Sequence, residues 1–295
     1  ASTGRLAGKR IGLKDNVSVA GMPLSAGSLV LEGYVPDTDA TIVTRLLDAG
    51  GEIVAVCNMD NFASSGAGNT SVYGPILNPH NREHLAGGSS GGSAASLYYS
   101  DVDMTIGGDQ GGSIRIPAAW CGVVGLKPTY GLVPYTGILG MDPTVDHAGP
   151  MARSSADVAL MLEVIAGKDP LDARQLEVPL GPYTQALYKG VEGVRIGLVR
   201  EGFGLRESET DVDTAVRRAT DLLKEMGAEV SEVSIPWHRR AGRLVFALLT
   251  GGMAALMDGN AVGYHRKGYY SQSLATAIGK ARRVHGNDFP PTLKL

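Results

Sequence analysis

Two segments of the form GGxxGG restrict the fold of this chain more than any other feature. Gly87-Gly88-Ser89-Ser90-Gly91-Gly92 is one, and Gly107-Gly108-Asp109-Gln110-Gly111-Gly112, followed directly by Ser113, is the other. Paired glycines reach backbone conformations closed to other residues and let neighbouring groups approach the main chain. Consecutive N–H groups in such a loop can converge on one point and hold an anion. Beside a serine, that is what acyl transfer requires: an oxyanion hole next to a nucleophile. The chain carries 41 glycines in 295 residues, about twice the usual share. Many of them stand in pairs between Gly87 and Gly112, unlike those of a flexible linker.

Short strands and helices alternate around these segments. Strands are predicted over 10–14, 52–57, 102–106 (running into Gly107), 121–126, 194–199 and 228–233. Helices are predicted over 41–49, with Asp39 as N-cap and Gly50-Gly51 as the stop, and over 90–99, 114–120, 155–166, 211–226 and 243–257. Pro117 must then sit in the first turn of its helix, and Ser154 caps the helix that begins at Ser155. Residues 168–190, polar and rich in proline, read as a long loop. This rhythm predicts an α/β fold, a mixed central sheet flanked by helices.

Composition narrows the function. Net charge is −3, from 27 basic and 30 acidic side chains. The longest basic groupings, Arg239-Arg240 and Arg282-Arg283, are too short for a phosphate-binding stripe, which argues against nucleic-acid and membrane-surface partners. No apolar run approaches the ~20 residues of a membrane span. Cys57 and Cys121 stand alone in apolar surroundings and read as buried thiols of a reducing compartment. The polar N-terminal stretch lacks a signal peptide's apolar region. A cytoplasmic protein is the expectation.

Other site chemistries fit less well. No GxxxxGK[ST] and no GxGxxG is present in either loop. Gly88-Ser-Ser-Gly-Gly92 formally matches GxSxG with Ser90 at its centre, but that elbow follows a strand and residues 78–86 are turn-like. Its triad would also need a histidine, and none of the six stands out. A serine nucleophile can use lysine as its base instead. Lys14 ends an apolar strand. A lysine held away from water loses part of its preference for the charged form and can accept a proton near neutral pH. A lysine at a strand end is, by itself, more often a solvated one.

Taken together, Gly87-GSSGGSAAS96, Gly108-DQGGSIRIP117, Cys121-GVVGLKPT129 and Leu13-Lys14-Asp15-Asn16 resemble the amidase signature family. Ser89 follows Lys14 by 75 residues and precedes Ser113 by 24, as in that family. Weaker similarity covers Asn58-Met59, Asn78-Pro79 and 146–150. The resemblance spans most of 8–166, the signature core, and is thin beyond about residue 170. It implies a single domain over 1–295, expected to be incomplete at both ends, with 191–295 as a further α/β and helical part.

Position by position, the resemblance implies Ser113 as nucleophile, Ser89 as a bridging serine after a cis peptide bond, and Lys14 as base. The N–H groups of Gln110, Gly111, Gly112 and Ser113 form the oxyanion hole, and Ser90, Asp109 and Arg115 support it, Arg115 by a salt bridge. Gln110 stands where many members carry threonine or isoleucine. In that respect the chain resembles a nitrile-metabolism-linked branch of bacterial amidases acting on small aliphatic and aromatic amides. The implied function is hydrolysis of small carboxamides, and of hydrazides, without metal or cofactor, with a homodimer as the family-level expectation. Two alternatives stay open: the amidase subunit of a tRNA-dependent amidotransferase, and a catalytically silent binding protein on the same fold.

His80 and His84 have the spacing of a metal-binding helix, but Pro79 and Asn81 oppose a helix there. His147 reads as a structural hydrogen-bonding group. Met59, Asn61 and Phe62 face either substrate or core. Tyr98-Tyr99 and Tyr269-Tyr270 read as core or interface.

Overall fold

The computed structural model describes residues 3–258 apart from 100, 176 and 178. Tyr269-Tyr270 and Arg282-Arg283 lie outside the described residues. The chain divides into two compact units, one built from residues up to Thr184 with the chain from Ala247, the other from Gln185–Phe246.

The first unit is organised by a five-stranded mixed sheet. In chain order it contains β1 (Arg10–Lys14), α1 (Thr41–Asp48), β2 (Glu52–Cys57), α2 (Gly91–Ser96), β3 (Met104–Asp109), α3 (Arg115–Cys121), β4 (Val124–Gly125), β5 (His147–Ala152) and α4 (Ser155–Ile165), followed by α5 (Tyr183–Ala186) at its boundary. The strand order is β2-β1-β3-β5-β4. β1 runs parallel to β2 and β3, and β5 runs antiparallel to β3 and β4.

The two faces of the sheet separate two kinds of packing. Side chains alternate across a strand. Ile11 and Leu13 of β1 and Met104 and Ile106 of β3 join Ile42, Val43 and Leu46 of α1 and Met161, Leu162 and Ile165 of α4 in one apolar cluster. Full burial of each such side chain is worth about 1.5–3 kcal/mol. Lys14 and Asp109 fall on the other face by the same period. That side is covered by α2 and α3, whose Ala94, Ala95 and Ala118 join Ile114, just before α3, in a second, smaller-residue cluster. Small side chains there bring helix backbones close to the sheet.

Several boundaries differ from expectation. Asp39 does not cap α1; the N-cap is Ala40, and the Asp39 carboxylate instead accepts the Ala20 N–H (2.7 Å). Ser154 caps α4 as expected, accepting the Asp157 N–H. The strand expected over 121–126 shrinks to two residues, because α3 continues through Cys121. β5 was not expected: its Gly149-Pro150 pair opposes a strand by propensity, yet Pro150 sits opposite Ile106 and its carbonyl accepts the Leu126 N–H (3.1 Å). The strand is thus set by its two neighbours. Gly107 and Gly108, expected to open a loop, lie inside β3.

The second unit contains β6 (Arg195–Val199), α6 (Thr210–Glu225), β7 (Glu229–Val233) and the start of α7 (His238–Asp258), with β6 parallel to β7. No side chain of α6 is buried. Among the described residues, no helix is long and apolar enough to cross a membrane.

Candidate active site

Among the described residues, Lys14 is the largest side chain to be fully buried. β1 brings it to the end of the sheet on the face shared with α2. There its Nζ donates to Ser89 Oγ (2.7 Å) and to the Gly108 carbonyl (3.3 Å). Burial lowers the lysine pKa to about 7, against the opposing pull of Asp60, Asp109 and Asp146. A substantial fraction of Lys14 is therefore neutral near physiological pH, which equips it to accept a proton.

The two glycine loops meet at this lysine. The Gly88–Ser89 peptide bond is cis. Ser90 joins the loops: its N–H donates to the Ser113 carbonyl (3.1 Å), its hydroxyl donates to the Gly108 carbonyl (3.1 Å), and the Gly108 N–H donates back to that hydroxyl (3.1 Å). Gly107 has no room for a side chain, since a Cβ would lie 3.0 Å from both Ser90 Oγ and Ile114 Cγ1. Here the glycine pair serves close approach inside a strand.

Asp109 ends β3 and organises the turn after it. Its carboxylate accepts the N–H groups of Gly112 (2.8 Å) and Ile114 (3.1 Å), and it forms a two-pronged ion pair with Arg115 (3.0 and 2.9 Å). Burial would raise this carboxyl, but Arg115 and the two N–H donors hold it below its ordinary value.

These bonds change the set of free donors. The resemblance implied four oxyanion N–H groups, but that of Gly112 is committed to Asp109. Among the described residues, the N–H groups of Gln110, Gly111 and Ser113 have no acceptor. Ser113 itself is buried, directly before α3, and its hydroxyl makes no hydrogen bond among the described residues. Lys14 and Ser89 thus touch directly, while Ser113 is tied to the pair through Ser90.

Around this centre lie further residues, of which Tyr135, Arg174 and Asp60 carry no sequence motif. The Gln110 side chain donates to the Tyr135 hydroxyl (3.3 Å), and the Tyr135 ring packs on Arg174 (4.7 Å). Asp146 accepts the Met141 and Asp142 N–H groups and is raised by burial. Asp60 lies fully buried beneath Gly88. An aspartate in the Asn58–Phe62 stretch was the available signal, but its partners, Gly68 and Thr70, are distant from anything with a recognisable motif.

The remaining candidates have structural partners. Met59 and Phe62 pack in an apolar cluster with Met141 and Met253, and the Asn61 side chain donates to the Gly27 carbonyl (3.1 Å). His80 Nε2 lies 2.9 Å from the Cys121 carbonyl, and its ring meets that of Tyr98 edge-on. His147 places Nδ1 on the Val145 carbonyl (2.7 Å) and Nε2 against Lys127 Nζ (3.1 Å). Tyr99 is exposed. Cys57 and Cys121 are buried and unpaired, and burial raises both thiols, Cys121 to about 11. Among the described residues, no three His, Cys, Asp or Glu side chains gather as a metal would need.

Known proteins share this arrangement at the level of sequence and fold. The family model described as Amidase matches residues 1–285. An enantioselective amidase of Rhodococcus rhodochrous is 43% identical over 297 residues, covering 99% of this chain and 57% of the relative. The A-type subunit of the glutamyl-tRNA(Gln) amidotransferase of Brachyspira hyodysenteriae is 39% identical over 290 residues, covering 95% of this chain and 60% of the relative. The crystal structure of the same-named subunit from Thermotoga maritima superposes with a TM-score of 0.83 at 31% identity, over 97% of this chain and 64% of that one. The chain thus spans about three fifths of the length of the relatives it matches. With the family model covering nearly all of its residues, the chain belongs to the Amidase family.

Proposed function

We propose that this protein hydrolyses carboxamides through an acyl-serine intermediate, with Ser113 as nucleophile, Ser89 as proton bridge and Lys14 as base. The observation that carries the reading is the Lys14–Ser89 contact: a fully buried amine, lowered to about 7, with Nζ 2.7 Å from a serine hydroxyl. A charged surface lysine could not take a proton at neutral pH, and this one can.

In the proposed reaction, Ser113 Oγ attacks the amide carbonyl while its proton passes to Ser89 and that of Ser89 to Lys14 Nζ. The carbonyl oxygen becomes an oxyanion, met by the N–H groups of Gln110, Gly111 and Ser113. Loss of one such donor typically costs ~10²–10³ in rate. The Lys14 proton returns through Ser89 to the nitrogen, which leaves as ammonia from a primary amide or as hydrazine from a hydrazide. Water then attacks the acyl-serine by the reverse path and releases the acid. The Ser89–Ser113 hydroxyl contact, unformed here, closes when substrate is bound, as catalytic hydrogen bonds often do.

The 43% identity to an enantioselective amidase supports amide hydrolysis, and small aliphatic and aromatic carboxamides, turned over by a free-standing enzyme, are the proposed substrates. A second reading, an amidotransferase subunit that hands ammonia to a partner, is favoured by relatives of that name at 38–44% identity. Assaying ammonia from propionamide, benzamide and phenylacetamide, and benzoic acid from benzoic hydrazide, decides between them. Turnover by the chain alone that vanishes in Ser113→Ala supports the hydrolase. A folded chain that turns over nothing alone, and releases ammonia only with partner subunits, supports the second reading. Turnover that survives Ser113→Ala contradicts both.

A further inference from the structure

Asp60 has no role in the reaction as written, yet it touches Ser89 and the glycine before it. Its own N–H donates to the Ser89 carbonyl (3.2 Å). Its carboxylate lies where a Cβ on Gly88 would have to be. That carboxylate is fixed in turn by the Gly68 N–H (2.9 Å), the Thr70 N–H (2.9 Å) and the Thr70 hydroxyl (2.8 Å). The Gly66 carbonyl accepts the Gly88 N–H (2.8 Å), so 66–70 and Gly87–Ser89 interlock around one buried acid. We propose that Asp60 is a positioning residue for Ser89, holding the Gly88–Ser89 segment where the serine hydroxyl meets Lys14 Nζ.

Three carboxylates from different parts of the chain, Asp60, Asp109 and Asp146, act on Lys14 through their charge. Asp109 is ion-paired with Arg115 (2.9 Å), and Asp146 feels the charge of Arg174. The described partners of Asp60 are neutral: two N–H groups and a hydroxyl. Its negative charge is therefore the least compensated of the three, and it is the largest electrostatic contribution opposing the effect of burial on Lys14. The inference rests on Lys14 being the base for Ser89, and its consequence has a sign. Removing the Asp60 charge makes Lys14 easier to deprotonate and a weaker base.

The test uses the full chain with isotope-labelled lysine, in wild type and Asp60→Asn, with folding checked by circular dichroism. NMR titration of Lys14 needs no turnover. In Asp60→Asn the Lys14 midpoint is expected about one pH unit or more lower. With benzamide as substrate, kcat is expected to fall by about tenfold or more with KM within about twofold, a fraction of what a general base contributes. The acid limb of the kcat profile is expected to move down with the lysine. A folded Asp60→Asn with an unmoved lysine midpoint, or with unchanged kcat, overturns the proposal. A loss of kcat without any shift would mark a merely structural residue and overturns it too. If Asp60→Asn does not fold, Thr70→Val keeps the charge and removes one anchor. It is expected to lower kcat several-fold at constant KM, and unchanged kcat overturns the proposal. Activity that survives Lys14→Met would instead refute Lys14 as base, while the NMR comparison still judges the effect of Asp60 on it.

Discussion

The loops at Gly87–Gly92 and Gly107–Gly112 share one spacing of glycines, and each is organised by one buried aspartate. Around Asp60 the first loop is closed. Nearly all of it is buried, and a side chain at Gly88 or Gly92 would overlap Asp60 or the backbone of Asn58. Around Asp109 the second loop is also largely buried but opens at one end. Gly111 and Arg115 reach solvent, and a Cβ at Gly108 would meet only ordinary contacts, 3.6 Å from Lys14 Nζ and 3.5 Å from the His147 carbonyl. Glycine in the first loop permits interlocking of backbones; in the second, Gly107 packs closely inside β3, while Gly108 has room and Gly111 is exposed. On the proposed reading, one sequence pattern holds the proton carrier in place on one side and presents the nucleophile on the other.

The largest effects separate the two loops by chemistry. Ser113→Ala is expected to lower kcat for benzamide by at least ~10⁴, since residues acting as one unit fail together. Lys14→Met is expected to lower it by ~10³. Steady-state kinetics checks both, and a residual activity above a tenth in either variant breaks the division of labour between loops.

Next comes packing. Gly88→Ala is expected to cost about 3 kcal/mol of stability, the upper range for overpacking a close-packed interior, against about 1 kcal/mol or less for Gly108→Ala. Urea denaturation measures both. Equal costs would show that the loops are equally crowded and remove the steric half of the comparison.

The pH dependence is next in size. Activity is expected to rise with pH through an inflection near the Lys14 value of about 7. Stability follows the same group with a definite sign. The folded pKa lies below the unfolded one, so as pH falls from the unfolded value toward 7 the unfolded chain binds the proton first and the fold is penalised. Lys14→Met should therefore gain most in Tm over wild type at and below pH 7, and the gap should narrow as pH approaches about 10. A gap independent of pH would mean that Lys14 stays charged in the fold.

The smallest effect concerns the open loop's anchor. Arg115→Ala is expected to cost about 1 kcal/mol of stability, since the arginine is more than half exposed and such pairs are weakened by solvent. kcat should fall several-fold as the Asp109 carboxylate loosens its hold on the Gly112 and Ile114 N–H groups. An unchanged kcat would show that these N–H bonds alone fix the loop.

Much of this arrangement was legible in the sequence, for physical reasons that can be named. β1 and α1 are strong local patterns, and the period of two across β1 puts Lys14 opposite the face of Ile11 and Leu13. The glycine pairs marked both loops because no other residue allows such approach. What stayed hidden depends on partners far along the chain. β5 contains Gly149-Pro150, a poor strand by propensity, and exists because β3 and β4 flank it. The commitment of the Gly112 N–H to Asp109 needs the actual path of the turn. Asp60 looks like any loop aspartate until 66–70 folds over it and Gly88 settles against its carboxylate.

The claim that the open loop carries the nucleophile and the closed loop the proton carrier is tested most directly by asking which serine is acylated. Wild-type protein treated with phenylmethanesulfonyl fluoride, digested and mapped by mass spectrometry should carry the sulfonyl group on Ser113 alone, with labelling lost in Ser113→Ala. A label on Ser89 or Ser90, or one that persists in Ser113→Ala, would contradict the account.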